Sequence, residues 1–192
     1  MLYIDEHIFD FDLTAALDSI SGQRRSQALR FRHEQGQREC VLAYLLLKRA
    51  LKEEYGIDSN PLFGYGPHGK PFLIDHPGIH FSLSHCREAV ACAVSSAPVG
   101  VDVERVKEYR ESLINYTMNS REAEQIATAE RPDIEFTRLW TMKEAVAKLS
   151  GTGITNDIKD LLTLNPNIVF STTVDPHQRY VCTMCRKDVV NR

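Results

Sequence analysis

Apolar positions in this chain change period several times, and the changes mark its elements. Across residues 35–55, Val41, Leu42, Leu45, Leu46 and Leu51 recur at helical spacing and Gly56 follows, which predicts an amphipathic helix lying against a sheet. The turn formers of Gly64-Tyr-Gly-Pro-His-Gly-Lys-Pro71 predict a loop, with a short apolar run over 72–74 behind it. Residues 79–85, 89–95 and 99–106 are rich in strand formers and separated by short connectors, so they read as a meander. Helices are expected over 120–129, with Ser120 as N-cap and acidic residues in the first turns, and over about 133–150, stopped by Gly151. In the tail, 168–174 and 178–186 read as two strands joined by a turn at Asp175-Pro176.

The break Ser95-Ser-Ala-Pro98 falls near the middle of the chain and divides it into an N-terminal lobe, 1–98, and a C-terminal lobe, 99–192. Each half holds helix and sheet, so the fold class is α/β (α+β), with no internal repeat to prove a duplication. A chain of 192 residues with 43% hydrophobic content buries a core without disulfides. Its five scattered cysteines suit a reducing, cytoplasmic setting. The acidic N-terminus does not resemble a signal peptide, and no stretch reaches the roughly 20 apolar residues of a membrane span. A net charge of −3 argues against a general nucleic-acid binder. Charge is uneven, though: between Arg24 and Lys52 there are eight basic residues and two acidic ones, Glu34 and Glu39. Such a run is either a solvated helical face or a docking area for an anionic ligand.

Three short elements carry candidate chemistry. In Val99-Gly-Val-Asp-Val-Glu-Arg-Val106, the period of a strand puts Asp102 and Glu104 on one face and the valines on the other. Two such carboxylates repel, and a hard cation such as magnesium relieves them; pairing with surface lysine or arginine is the alternative. In Leu139-Trp-Thr-Met-Lys-Glu-Ala-Val-Ala-Lys148, the residues Leu139, Met142 and Val146, with Leu149 beyond them, form a core stripe that leaves Glu144 and Lys148 nearly opposite it. Taken alone, these two make an ordinary i,i+4 surface pair. Gly151-x-Gly153 is a helix stop rather than a phosphate loop. The run Phe81-Ser-Leu-Ser-His-Cys86 ends a strand with Ser84 and His85, whose donors suit either phosphate oxygens or a structural hydrogen bond. Ser84 lacks the Gly-x-Ser-x-Gly setting of a hydrolase nucleophile.

Together with Gly69-Lys-Pro71, these elements resemble the 4'-phosphopantetheinyl transferase superfamily, in its Sfp-type branch. Gly100-Val-Asp-Val-Glu104 matches that family's Gly-[Ile/Val]-Asp-[Ile/Val]-Glu motif, and Trp140-Thr-Met-Lys-Glu-Ala-Val-Ala-Lys148 its Trp-x-x-Lys-Glu-Ala-x-x-Lys motif. The resemblance runs from about Arg24 to Gly153. It implies two similar α/β lobes about a pseudo-twofold axis, with coenzyme A as substrate between them and an apo acyl or peptidyl carrier protein as partner. It further implies magnesium, or manganese in its place, held by Asp102, Glu104 and Glu144, with Glu144 and Lys148 as the catalytic groups. Ser84 and His85 would contact the 3'-phosphate or pyrophosphate, Lys70 and Pro71 the nucleotide end, and Arg24 or Arg38 the phosphates from the N-terminal lobe. Cys86 stands where serine is commonest in the family, and the chain is short after Gly153.

Three other readings compete. A binding module would recognise coenzyme A or a carrier without transfer, although the intact acids at 102, 104 and 144 weigh against it. A magnesium-dependent phosphate enzyme of unrelated fold would not prefer coenzyme A to ATP. Cys182-Thr-Met-Cys185 would be a redox or zinc motif only with a second ligand pair, which the sequence lacks.

Overall fold

The computed structural model describes residues 1–153 and 157–188. In chain order the elements are β1 (Leu2–Asp5), α1 (Leu13–Ser19), α2 (Gly22–Ala28), α3 (Glu34–Tyr55), β2 (Phe63–Tyr65), β3 (Pro71–Leu73), β4 (His80–His85), β5 (Val90–Ser95) and β6 (Val99–Arg105). There follow α4 (Glu111–Thr117), α5 (Ser120–Thr128), α6 (Pro132–Ser150), a 3-10 turn at Ile158–Asp160, β7 (Ile168–Val174) and β8 (Tyr180–Lys187). The expected mixture of helix and sheet is present, with every strand pair antiparallel.

Four layers stack on one another. Helix α3 covers one face of the sheet β1-β5-β4, where Val90, Cys92 and Val94 of β5 meet Val41, Tyr44 and Leu47. The alternate residues of β5, Ala91 and Ala93, face the other way with neighbouring Ala89, and pack on Val99, Val101 and Val103 of β6. Their small side chains let two sheets approach. The second sheet, β6-β8-β7, presents its outer face to α6 through Cys185, Phe170, Val146 and Leu149.

The meander expected from 79–106 is therefore half right. β4 and β5 form a hairpin closed by Cys86 N–H on Ala89 O at 2.9 Å, but β6 leaves that sheet and pairs with β8. A strand with valines on one face and a buried aspartate on the other has two faces to cover. Stacking on β5 covers the valines and α6 covers the rest, which in-plane pairing with β5 would not do. β6 still touches β4 at its edge, where Val101 N–H donates to Ser82 Oγ at 3.0 Å.

Two details of the helices differ from expectation. Asn119, not Ser120, caps α5, through a capping box in which Asn119 Oδ1 accepts from Glu122 N–H and Glu122 Oε2 from Asn119 N–H. On α6, Met142 is only half-buried, while Lys143 is fully buried beside Leu139 and Val146. The turn between β7 and β8 makes a polar latch across the sheets: Asp175 accepts from Arg179 at 2.8 Å, Arg179 also pairs with Glu6, and Tyr180 Oη donates to Glu6 at 2.7 Å. Among the described residues no helix is long and apolar enough to cross a membrane.

The latch gives an acid-sensitivity prediction. Hydrogen bonding from Arg179 lowers the Asp175 carboxyl to about 2, and Tyr180 with Arg179 lowers that of Glu6. A carboxyl depressed by folding adds stability that is complete above its unfolded value, about 4, and is lost as pH falls through the folded value. Thermal unfolding of Asp175→Asn should thus show a lower midpoint than wild type at neutral pH, with the gap closing as pH approaches 2. A gap independent of pH would assign the loss to packing.

Candidate active site

The site begins with a missing side chain. A Cβ built on Gly100 would stand 2.0 Å from Ala145 O and 2.7 Å from Leu149 N, so only glycine lets the α6 backbone lie against β6. That contact sets α6 over the face of β6 that carries Asp102 and Glu104, with Glu144 and Lys148 on the turns beside Ala145. Lys148 then reaches not Glu144 but Asp102: its Nζ lies 2.6 Å from Asp102 Oδ1 and 2.8 Å from Ser84 Oγ. Ser84 Oγ in turn donates to Asp102 Oδ1 at 2.8 Å, so residues of β4, β6 and α6 converge on one oxygen. The i,i+4 surface pair gives way to a buried inter-element tie, since the Asp102 side chain is only 3% exposed and that of Lys148 32%.

The second oxygen of Asp102, Oδ2, is buried with no hydrogen-bond partner. Burial first, and then the charge of Asp102, push the carboxyls of both Glu104 and Glu144 above the usual glutamate range. Trp140 lies beside Glu104. An orphan carboxylate oxygen next to two disfavoured carboxylates fits a hard, oxygen-seeking cation. As the side chains stand, however, no group of three or more His, Cys, Asp or Glu among the described residues is arranged to hold a metal ion. The donors match the cation in kind, while the ligand cage is not assembled.

A cleft of about 260 Å³ opens beside Glu144 and Lys148, with Gly69, Lys70, Pro71 and Ser82 in its walls. It continues, past Lys70, Pro71 and Gly151, into a second space of about 440 Å³. Gly69, at φ +79°, makes the turn that presents Lys70. Lys70 Nζ donates to Leu149 O at 3.0 Å, closing the end of α6, and burial lowers its pKa.

The remaining expected residues go elsewhere. His85, next to Ser84 on a strand, points to the opposite side, where its Nδ1 lies 3.0 Å from Glu39 Oε2 on α3. Arg24 is buried and spends its guanidinium on Cys40 O, at 2.7 and 3.1 Å, and on Gln27 at 3.0 Å. Arg38 bonds Glu34 and Phe11 O. Neither arginine lines the cleft. Of the eight basic residues in that run, only Arg30 and Arg32 have no ion pair or side-chain hydrogen bond among the described residues. Cys182 and Cys185 lie on opposite faces of β8, fully buried, their thiols pushed up by burial to about 12, which suits neither redox chemistry nor zinc.

Lys143 and Ser82 were not expected to matter. Lys143 Nζ pairs with Glu122 at 2.8 Å and donates to Ile158 O at 2.8 Å and Lys159 O at 2.7 Å, fixing α6 next to Glu144. A lysine four residues after Leu139, on the core stripe, was the available signal. Ser82 satisfies the β6 edge and has no periodic signature.

A family model described as the 4'-phosphopantetheinyl transferase superfamily matches residues 98–188, the span that carries Asp102, Glu104, Glu144 and Lys148. A 4'-phosphopantetheinyl transferase AcpT of Salmonella typhimurium is 32% identical over 143 residues, 70% of this chain and 71% of that one. The chain belongs to the 4'-phosphopantetheinyl transferase superfamily. A 4'-phosphopantetheinyl transferase of Bacillus subtilis is 28% identical over 157 residues, covering 80% of this chain and 70% of its own. The psf-1 transferase of Bacillus pumilus is 34% identical over 138 residues, covering 70% and 59%. The relatives include Sfp itself, from Bacillus subtilis, 26% identical over 156 residues, which agrees with the Sfp-type motifs.

The contact at Gly100 yields a stability prediction for this transferase. Gly100→Ala should destabilise by about 1–3 kcal/mol, since backbone rather than a flexible side chain meets the new methyl. It should also move Glu144 and Lys148 away from Asp102. Denaturant unfolding checks this, and a variant of wild-type stability would show that α6 does not rest on β6.

Proposed function

We propose that this protein transfers the phosphopantetheine arm of coenzyme A to a serine of an apo acyl or peptidyl carrier protein, releasing 3',5'-adenosine bisphosphate. The observation that carries the reading is the convergence of Ser84, Asp102 and Lys148 beside a cleft that also holds Glu144, Lys70 and Pro71. Lys148 is half in the cleft, so its ammonium is available to neutralise charge growing on a phosphate while Asp102 and Ser84 fix its position. Glu144, made more basic than an ordinary glutamate by burial and by Asp102, is suited to take the proton of the incoming serine hydroxyl. The nucleophile belongs to the partner. Asp102, Glu104 and Glu144 would hold magnesium, or manganese in its place, which when bound supplies Lewis-acid neutralisation of phosphate oxygens.

Lys70 and Pro71 line the cleft where the nucleotide end of coenzyme A would lie. The division into lobes 1–98 and 99–192 and their pseudo-twofold relation are part of the same reading, as is a cytoplasmic setting, in keeping with five free cysteines. A binding module without transfer is disfavoured by the intact acids at 102, 104 and 144, which binding alone would not need.

Mass spectrometry of apo carrier proteins incubated with coenzyme A, magnesium and the protein tests the function directly. Transfer should appear as the added phosphopantetheine and stop in excess chelator. Glu144→Gln should fold normally and lower the single-turnover rate by about a hundredfold or more. Lys148→Met should lower the rate comparably and also lower the unfolding temperature, because it strips a buried aspartate of its cation. Coenzyme A binding without transfer would favour the binding module, and a wild-type rate in Glu144→Gln would remove this account of proton transfer.

A further inference from the structure

The sheet β6-β8-β7 ends on a strand whose outer side has no neighbouring strand among the described residues. Which backbone groups point that way follows from the hairpin. Asn167 O accepts from Asp188 N–H at 2.7 Å and Asp175 N–H donates to Tyr180 O at 3.0 Å, so the odd-numbered residues of β7 turn their backbone groups toward β8. Ile168, Phe170, Thr172 and Val174 therefore direct theirs outward, where none has a backbone partner among the described residues. An edge of that length is ordinarily guarded by charge, proline, a bulge or a covering element. β7, Ile-Val-Phe-Ser-Thr-Thr-Val, has no charged residue and no proline, and it pairs with β8 without a bulge from Ile168 to Val174. The larger sheets leave no comparable edge elsewhere: β1 is only 4 residues long and ends on Asp5, and the edges of β4 and β6 meet at Ser82.

We propose that β7 is a self-association edge, which pairs antiparallel with β7 of a second copy of this chain about a two-fold axis through Ser171. In that register Ile168 lies opposite Val174 of the second copy and Phe170 opposite its Thr172. Each such pair exchanges two N–H···O bonds, so every outward donor and acceptor of both edges is satisfied. Val169 lies opposite Thr173, and Ser171 opposite itself. The side-chain pairs are apolar, aromatic with β-branched, or hydroxyl with hydroxyl, all of which suit an antiparallel ladder. Neutrality selects a second copy over a foreign strand. In a two-fold contact a charged edge opposes itself, whereas an edge without charge meets no repulsion and has nothing with which to choose another protein. Val169 and Val174, exposed in the single chain, gain cover. The result is one continuous sheet, β6-β8-β7-β7-β8-β6, and it closes at two copies because each end strand is β6, whose edge already meets β4. No residue of β7 lines the cleft, so the inference stands apart from the transferase reading.

Sedimentation equilibrium over a concentration series up to about 1 mM tests the proposal. The wild-type chain should approach twice the mass of one copy and not exceed it. Ser171 is exposed, and on the axis it forms a non-hydrogen-bonded pair, whose side chains approach closely. Ser171→Asp and Ser171→Lys, each alone, should weaken the dimer about fivefold or more at low salt while leaving the circular dichroism unchanged. Mixed in equal amounts, the two variants should recover a dimer with one copy of each, since opposite charges then face each other across the axis. Val174→Pro removes one outward N–H and no bond to β8, and it should weaken the dimer as well. A wild-type chain that stays at the mass of one copy overturns the proposal, and so does a mass that climbs past two. Dimers of wild-type strength in both Ser171 variants, or a mixture that stays as separate chains, overturn the register and with it the self-complementary edge.

Discussion

Backbone against backbone is the closest kind of packing a protein makes, and here it occurs where Gly100 of β6 meets Ala145 and Leu149 of α6. With a side chain at 100 the helix would ride higher, and the groups on either side of Ala145 would no longer reach the strand. Because it lies low, Lys148 can bond an aspartate that is otherwise sealed between layers, and Ser84 can join from a strand of the other sheet. The valine face of β6, turned the other way, meets the alanines of β5, so one strand is clamped between a helix and a sheet. The alternation Val-Gly-Val-Asp-Val is read on both faces at once. It is thereby a packing instruction as well as the carrier of Asp102.

The two lysines of α6 show how position decides what a charge is for. Lys143 is wholly enclosed, with one carboxylate and two carbonyl oxygens as acceptors, and its ammonium has no donor left to offer. Such a group holds structure, here α5 and the 3-10 turn against α6, and removing its partner would leave an uncompensated buried charge. Lys148 shares Asp102 with a hydroxyl and still opens on the cleft. Five residues apart on one helix, the same side chain is in one case a bolt and in the other an available cation.

Much of this was legible in the sequence, and the reasons differ from element to element. The long helices α3 and α6 announce themselves because many turns of apolar spacing add up, and each is stopped by a glycine at positive φ, Gly56 and Gly151. Helices α1, α2 and α4, each 7 residues long, carry too few turns for a period to emerge, and their caps, Asp12 and Ser21 for the first two, are common residues in any loop. Strand β1 is half-buried throughout and shows no alternation, yet it completes the first sheet by pairing with β5. The residues at 102, 104, 144 and 148 stood out through their match to the family motifs, while helical spacing alone suggested Glu144 as the partner of Lys148. Only the depth at which α6 sits selects Asp102. The basic run failed as a guide for a related reason: charge along a sequence does not say which guanidinium groups fold inward, and Arg24 is committed to the carbonyl of Cys40.

Residues that stand together in a motif need not act together in space. A strand of period two sends Ser84 and His85 to opposite faces. Ser84 therefore belongs to the Asp102 and Lys148 cluster, and His85 to Glu39 of the first helical layer. Ser82, two residues before Ser84, shares its face and caps the free edge of β6. Six residues of β4 thus touch α3 on one side and β6 and α6 on the other, and any displacement of that strand changes both groups together. A Ser-His pair at this place is best understood as a joint between the two halves of the molecule. The chemistry on each side then inherits its alignment from the pairing of β4 with β5, which runs without a break from His80 opposite Ser95 to His85 opposite Val90.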